Sequence, residues 1–360
     1  MLFFAAALLL GGCGPQATVR VGNPTDSARE NETVEVAWAD VASAVPGVTP
    51  ESIVVTTAEG DTLPAQVTYE GGDSPVSLIF QASVPGGASR NYRLSSGVQK
   101  TFDPQVYGRY VPERMDDFAW ENNVVGFRMY GPALEATGEI SNGIDVWLKR
   151  TDKLVIDKWY KAGDYHTDHG EGLDGYKVGR TLGAGAMAPY VKDTLWLGNN
   201  YASYRILDRG PLRLTFELTY APYEVDGQTV SEKRIVSLDA NSHFNRITEI
   251  YDRPLDVAAA IVLRPENGEI MQQDNWMAYR EPAIGQDGHP LVAVIMPCDF
   301  EAFENCGHLL ARASVEANEP FTYYGGAGWD KAGFDDAAAW SDYVRSEAEK
   351  RTAPLRVQVR

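Results

Sequence analysis

The stretch "DYHTDHGEGLDGYKVG", residues 164 to 179, gathers two histidines, four acidic residues, two tyrosines and four glycines, in a chain with five histidines in all. Imidazole is the side chain whose charge changes nearest neutral pH, so His166 and His169 point to proton transfer. Asp168, Glu171 and Asp174 are spaced to orient the rings or raise their pKa. In an extended strand His166 and Asp168 would face one way and Tyr165 and Thr167 the other, with His169 opposing His166. The glycines at 170, 172 and 175 let the backbone turn instead, so that both imidazoles converge on one site. The same residues admit two other readings. One is a solvated loop. The other is a divalent metal held by His166, His169 and a carboxylate, although the helical spacing of H-E-x-x-H is missing.

Further groups fit a polar, ring-shaped ligand. Arg128 and Arg180 offer planar guanidinium forks for a carboxylate. Trp120 and Trp196 offer flat faces for sugar rings, and Asn122, Asn199, Asn200 and Glu171 offer hydrogen bonds to hydroxyls. Tyr165 and Tyr190 are candidate acids. Glu113, Glu121, Glu171 and Asp174 are candidate carboxylates for glycoside hydrolysis, which needs two across the scissile bond. His243, His289 and His308 read as structural. No G-x-S-x-G, dinucleotide fingerprint or phosphate loop occurs, and no cofactor is called for beyond the metal option.

Short alternating strands must position these groups. Val34, Val36 and Trp38, then Val76, Leu78, Phe80 and Ala82, recur at period two, the mark of half-buried antiparallel strands. Leu212, Leu214, Phe216, Leu218 and Tyr220 do the same before Asp226-Gly227, a tight hairpin turn. Two more strands follow in "QTVSEKRIVSLDANSHFNRITEIYD". Helical periodicity emerges only at 335–350, with Asp335 as cap and Trp340, Val344 and Ala348 on one face. The pattern predicts an all-β, mainly antiparallel chain: a small N-terminal β-sandwich at 17–98, a link, and a larger β domain at 107–360.

Composition bounds the partners. The net charge is -18, which excludes the basic footprint of a nucleic-acid-binding protein. Residues 146 to 180 are locally balanced, with seven Lys/Arg against six Asp/Glu, so an anion can still be received there. The opening "MLFFAAALLLGGCG" is too short to span a bilayer and has the length of a signal-peptide core. Its "LGGC" resembles a bacterial lipobox, which predicts cleavage before Cys13, a lipid on its thiol, and an exported periplasmic or outer-membrane lipoprotein touching the membrane only through that lipid. Cys298 and Cys306 either pair in an oxidising compartment or stay as buried thiols.

The segments "GRYVPERMDDFAWENNVVGFRMYGPAL", "SNGIDVWLKR", "YHTDHGEGLDGYKVG" and "YYGGAGWDKAG" resemble the domain-of-unknown-function 4861 family of exported proteins from polysaccharide-degrading bacteria. The resemblance implies a galactose-mutarotase-like β-supersandwich for the larger domain and an oligosaccharide or polysaccharide as partner. A related activity is the dehydratase that acts on a terminal uronic acid in ulvan breakdown. With that setting, the residues fit elimination: a base removes the C5 proton of a uronic acid, an acid protonates the leaving oxygen, and a cation stabilises the charge that develops. His166 or His169 would be the base, Tyr165 or Tyr190 the acid, and Arg128 or Arg180 the cation. A hydrolase and a non-catalytic glycan-binding lipoprotein are the alternatives.

Overall fold

The computed structural model describes residues 15–266 and 268–360. The expected leader at 1–13, with its lipid-bearing Cys13, lies outside the described residues. No helix among the described residues is long and apolar enough to cross a membrane. The fold is all-β and overwhelmingly antiparallel, as the period-two segments predict. It forms two units. The first comprises residues up to 69, 73–102 and 355–360, and the second 70–72 and 103–354.

The first unit is a sandwich of a four-stranded sheet, in the order 356–359, 16–22, 89–96 and 53–57, and a three-stranded sheet, 29–37, 77–84 and 65–68. Val19, Val21, Val34, Val36, Leu78, Phe80 and Leu94 fill its core. Val76 departs from its expected inward position and is exposed. The C-terminal strand also departs from the expected second-domain span of 107–360. It pairs Val359 with Val19 and Val357 with Val21, covering an edge that would otherwise present unpaired backbone groups.

The second unit carries an eight-stranded sheet, two five-stranded sheets and a hairpin, 223–225 with 228–230. Asp226 and Gly227 at its tip both take positive φ, the two-residue turn that "DG" predicts. The strand Arg213–Tyr220 buries Leu214, Phe216, Leu218 and Tyr220 as the alternation requires. The five-stranded sheet containing 184–191 packs on the eight-stranded sheet through strands 290–295 and 321–329. The long helix is Ala337–Thr352. Its cap is Asp336, which accepts from the Ala339 N–H at 2.8 Å, rather than Asp335. Trp340, Val344 and Ala348 are buried as expected. Helices at Trp38–Ala44, Pro132–Glu135 and Ile156–Ala162 are additions to the sequence reading. Each is too short for its apolar period to stand out.

Candidate functional site

The other five-stranded sheet, in the order 172–173, 145–149, 126–129, 117–122 and 106–111, builds the site. Strand alternation sorts its side chains onto two faces. Phe118, Trp120 and Phe127 point one way, against Phe216 of the eight-stranded sheet, with the Phe118 and Phe216 ring centroids 4.2 Å apart. Asp117, Glu121, Arg128, Asp145, Trp147 and Lys149 occupy the alternate positions. Arg128 sits on the strand between, in register with Ala119 on one side and Asp145 on the other.

Helix Ile156–Ala162 and the loop after it cover that charged face. Trp147 stacks with Trp159 and with Tyr165, at centroid distances of 5.4 and 5.5 Å. The helix has no side-chain cap of its own. Glu121 supplies one from the sheet, accepting from the Val155 and Ile156 N–H groups at 2.7 and 2.8 Å while pairing with Lys149 at 2.5 Å. A carboxylate at a helix N-terminus meets the unsatisfied N–H groups and the favourable end of the dipole. The loop returns to the sheet at Gly172, whose φ is +128° and where a Cβ would lie 1.9 Å from the Leu148 carbonyl oxygen. Only glycine permits that approach, and it delivers Asp174 to the buried face.

There Arg128 meets three carboxylates. Its Nη2 lies 2.6 Å from Asp145 and 2.8 Å from Asp174, and its Nε lies 3.8 Å from Asp117. The Asp174 contact is aligned as a hydrogen bond. The Asp145 contact is close but off-line, and Arg128 Nε and Nη1 find no hydrogen-bond partner among the described residues. All four side chains are nearly inaccessible. One guanidinium cannot neutralise three buried carboxylates, so protonation must share the load. Burial pushes Asp117 up to about 7 against the pull of Arg128. Burial also raises Asp145 and Asp174, and their mutual repulsion adds to the rise in Asp145.

A raised carboxyl pKa in the folded state gives stability that is complete below the unfolded value of 3.8 and is lost as pH rises toward about 7. Asp117→Asn removes this dependence. Urea midpoints measured across that interval are expected to show the variant gaining on the parent as pH rises. A gap that is constant or narrows would contradict the buried-charge account.

His166 stands at the edge of this cluster. Its Nδ1 lies 2.8 Å from the Asp174 carbonyl oxygen and 3.6 Å from the Asp174 carboxylate, and its side chain is 58% exposed. A carbonyl only accepts, so Nδ1 carries the hydrogen and the neutral ring keeps its lone pair on Nε2. The ring is thereby held by Asp174 and through it linked to Arg128. His169 does not converge on the same point. Its Nε2 pairs with Asp164 at 3.1 Å, with both side chains exposed. Among the described residues, no group of three or more His, Cys, Asp or Glu is arranged to hold a metal ion. A cavity of about 390 Å³ opens beside the loop, lined in part by Lys158, Trp159, Asp164, Tyr165, His169 and Glu171.

A model of a domain of unknown function, DUF4861, matches residues 21–357. The chain belongs to the DUF4861 family. It is 31% identical over 389 aligned positions to an uncharacterized protein, P7, of Formosa agariphila, covering 100% of this chain and 98% of that one. Two solved structures share the fold. An α-mannosidase from Enterococcus faecalis V583 superposes with a TM-score of 0.53 at 8% identity, and a protein of glycosyl hydrolase family 38 from Enterococcus faecalis with 0.52 at 9%. Each covers 96% of this chain, which spans 46% and 47% of theirs.

In this DUF4861 protein several residues expected to meet substrate are committed elsewhere. Trp120 is fully buried and donates to Asn245 at 2.8 Å. It has no free face for a sugar. Asn122 is buried and holds its own turn through the Val124 and Val125 N–H groups. Asn200 is buried between the Ser141 N–H and the Gly131 carbonyl. Tyr190 lies on another sheet, where it accepts from Asn305 at 2.6 Å beneath Arg312. Arg180 is exposed and donates to the Gly198 and Leu197 carbonyls, near half-buried Trp196 and Asn199. Glu171 accepts from Lys158 at 2.6 Å, and Glu113 from Arg109 at 2.6 Å. Cys298 and Cys306 are free and exposed, neither paired nor buried. His243, His289 and His308 each direct Nδ1 at a backbone carbonyl at 2.8 Å.

Two residues of the segments around Arg128, Arg114 and Tyr130, also bear on the site. Arg114 is exposed and has no ion-pair partner among the described residues. Its charge nonetheless pulls both Asp117 and Asp174 downward. It precedes two consecutive left-handed residues, Met115 and Asp116, at φ 55° and 63°. Such conformations cost about 1–3 kcal/mol each and persist where the surroundings enforce them. Here the Tyr110 and Tyr201 hydroxyls clamp Asp116, and a Cβ on Gly131 would sit 1.7 Å from the Asp116 carbonyl oxygen. Tyr130 is the second. Its hydroxyl accepts from Arg128 at 3.4 Å and keeps its own hydrogen to donate. Burial, then the Asp145 charge, raise its pKa well above the ordinary value.

Proposed function

We propose that this protein is a carbohydrate-active enzyme that eliminates across C4–C5 of a uronic acid in an oligosaccharide. The observation that carries the reading is the fixed tautomer of His166, an exposed Nε2 lone pair backed by a buried carboxylate–arginine cluster. The fold likeness to glycoside-processing enzymes supports the carbohydrate class. In the proposed step, Arg114 pairs with the substrate carboxylate, which acidifies the neighbouring C5 proton. His166 Nε2 takes that proton. The C5–H electron pair becomes the C4=C5 bond, the C4–O bond breaks, and the departing oxygen takes the Tyr130 proton. Asp174 holds the imidazolium that forms. Solvent then returns a proton to Tyr130 and takes one from the His166 imidazolium, which restores both groups. If the departing oxygen is a terminal hydroxyl, water leaves and the enzyme is a dehydratase. If it bridges two sugars, the chain is cut and the enzyme is a lyase. We favour the first.

The expected result with oligosaccharides ending in a non-reducing uronic acid is new ultraviolet absorbance from the conjugated double bond, with loss of water by mass spectrometry. Neutral oligosaccharides should give neither. New reducing ends without absorbance would mean hydrolysis and overturn the proposal. So would glycan binding without any product.

A further inference from the structure

The four-stranded sheet of the first unit has an unusual outer face. In antiparallel pairs, directly opposed residues share a face. Arg20 opposes Gln358 on one side and Asn91 on the other, and Gly22 lies between Arg356 and Ser89. Thr18 opposes Arg93 and exchanges backbone hydrogen bonds with Arg360. The opposite alternation, with Val19, Val21, Tyr92 and Leu94, turns to the core. A chain with 50 acidic residues among 360 places none in these four strands. Arg20, Arg93, Arg356 and Arg360 are all exposed, and none ion-pairs with a carboxylate among the described residues. Arg20 donates only to the Ser89 hydroxyl, at 3.4 Å, and Arg360 to the Gln358 side chain, at 2.8 Å. Gly22 leaves a dip, and a cavity of about 360 Å³ opens there, lined by Arg20, Arg356, Arg360 and neighbouring polar groups.

We propose that this face binds a polyanionic polysaccharide whose sugars bear carboxylate or sulfate groups. Unpaired guanidinium forks recognise both oxyanions, and the hydroxyl and amide side chains between them suit sugar hydroxyls. Strand geometry spaces the rows by about 4.8 Å across the sheet and about 6.8 Å along it, giving a repeating track rather than a point site. Single-stranded nucleic acid fits poorly, because no aromatic side chain on this face can stack a base. The choice of a glycan over other polyanions rests on the carbohydrate reading above. The surface itself belongs to the first unit and contains none of the residues assigned to elimination.

Affinity electrophoresis of the full chain tests it, with alginate as the polyuronate, heparin as the sulfated polymer and dextran as the neutral control. Retardation is expected in alginate, heparin or both, the arm that responds naming the anion, and not in dextran. The combined Arg20→Ala, Arg356→Ala, Arg360→Ala variant should lose on the order of 10-fold or more in affinity, with a shallower salt dependence. The matching lysine variant should keep most of the binding. Both should melt as the parent does and turn over short uronic-acid oligosaccharides unchanged, so a failure of the elimination reading and a failure of this surface are told apart. The proposal is overturned if the parent ignores both acidic polymers, if the alanine variant binds as well as the parent, or if vesicles of anionic phospholipid bind this face more tightly than either polymer.

Discussion

Replacing His166 with alanine is expected to lower turnover of a uronic-acid oligosaccharide by on the order of 100-fold or more, the usual contribution of a positioned base. The melting temperature should hardly move. The ring is more than half exposed, and it rests on the Tyr165 ring and the Asp174 carbonyl without filling the core. His169→Ala should cost little, because that exposed imidazole pairs with the equally exposed Asp164. His166→Gln sharpens the test, since an amide can donate to the Asp174 carbonyl but supplies no basic nitrogen. It should fold like the parent and remain inactive. Full activity in both His166 variants would remove the base from the mechanism. A large loss in His169→Ala alone would shift the reaction into the cavity lined by Tyr165 and Glu171.

Arg128→Ala is expected to act on the fold. It strands Asp117, Asp145 and Asp174 in the interior without the guanidinium they surround, and removing one partner of a buried charge cluster typically costs about 3–5 kcal/mol. The cost should shrink on acidification, because protonated carboxyls no longer need the guanidinium. Urea denaturation at neutral pH and near pH 5 gives the comparison. Equal destabilisation at both would mean that Arg128 contributes packing against Tyr130 and Trp147 rather than charge. Because Asp174 also supports His166, the variant should lose activity even where it remains folded.

The period-two runs at 34–38, 76–82 and 212–220 are enough to call an all-β chain, since alternation forces one face of each strand inward wherever a core forms. The turn at 164–179 is legible for a related reason: its glycines announce a change of chain direction among titratable groups. Local pattern could not say which of those groups meet. His166 and His169 look equivalent in sequence, yet only His166 reaches Asp174, because Gly172 folds the loop back onto the strand at 145–149. Arg128 reads as a free carboxylate receptor until strand alternation places Asp117 and Asp145 beside it and the Gly172 turn brings in Asp174. Arg114, just before a strained turn, has no ion-pair partner among the described residues and is the cation proposed for the substrate. Trp120 and Asn122 read as sugar contacts for the same reason: which face of a buried sheet a residue takes depends on what packs against each side. The final strand joins the first unit through pairing with residues more than three hundred positions away. Sequence proximity encodes local conformation, whereas a charge's partner and a strand's neighbour are decided by contacts that form only when the chain closes on itself.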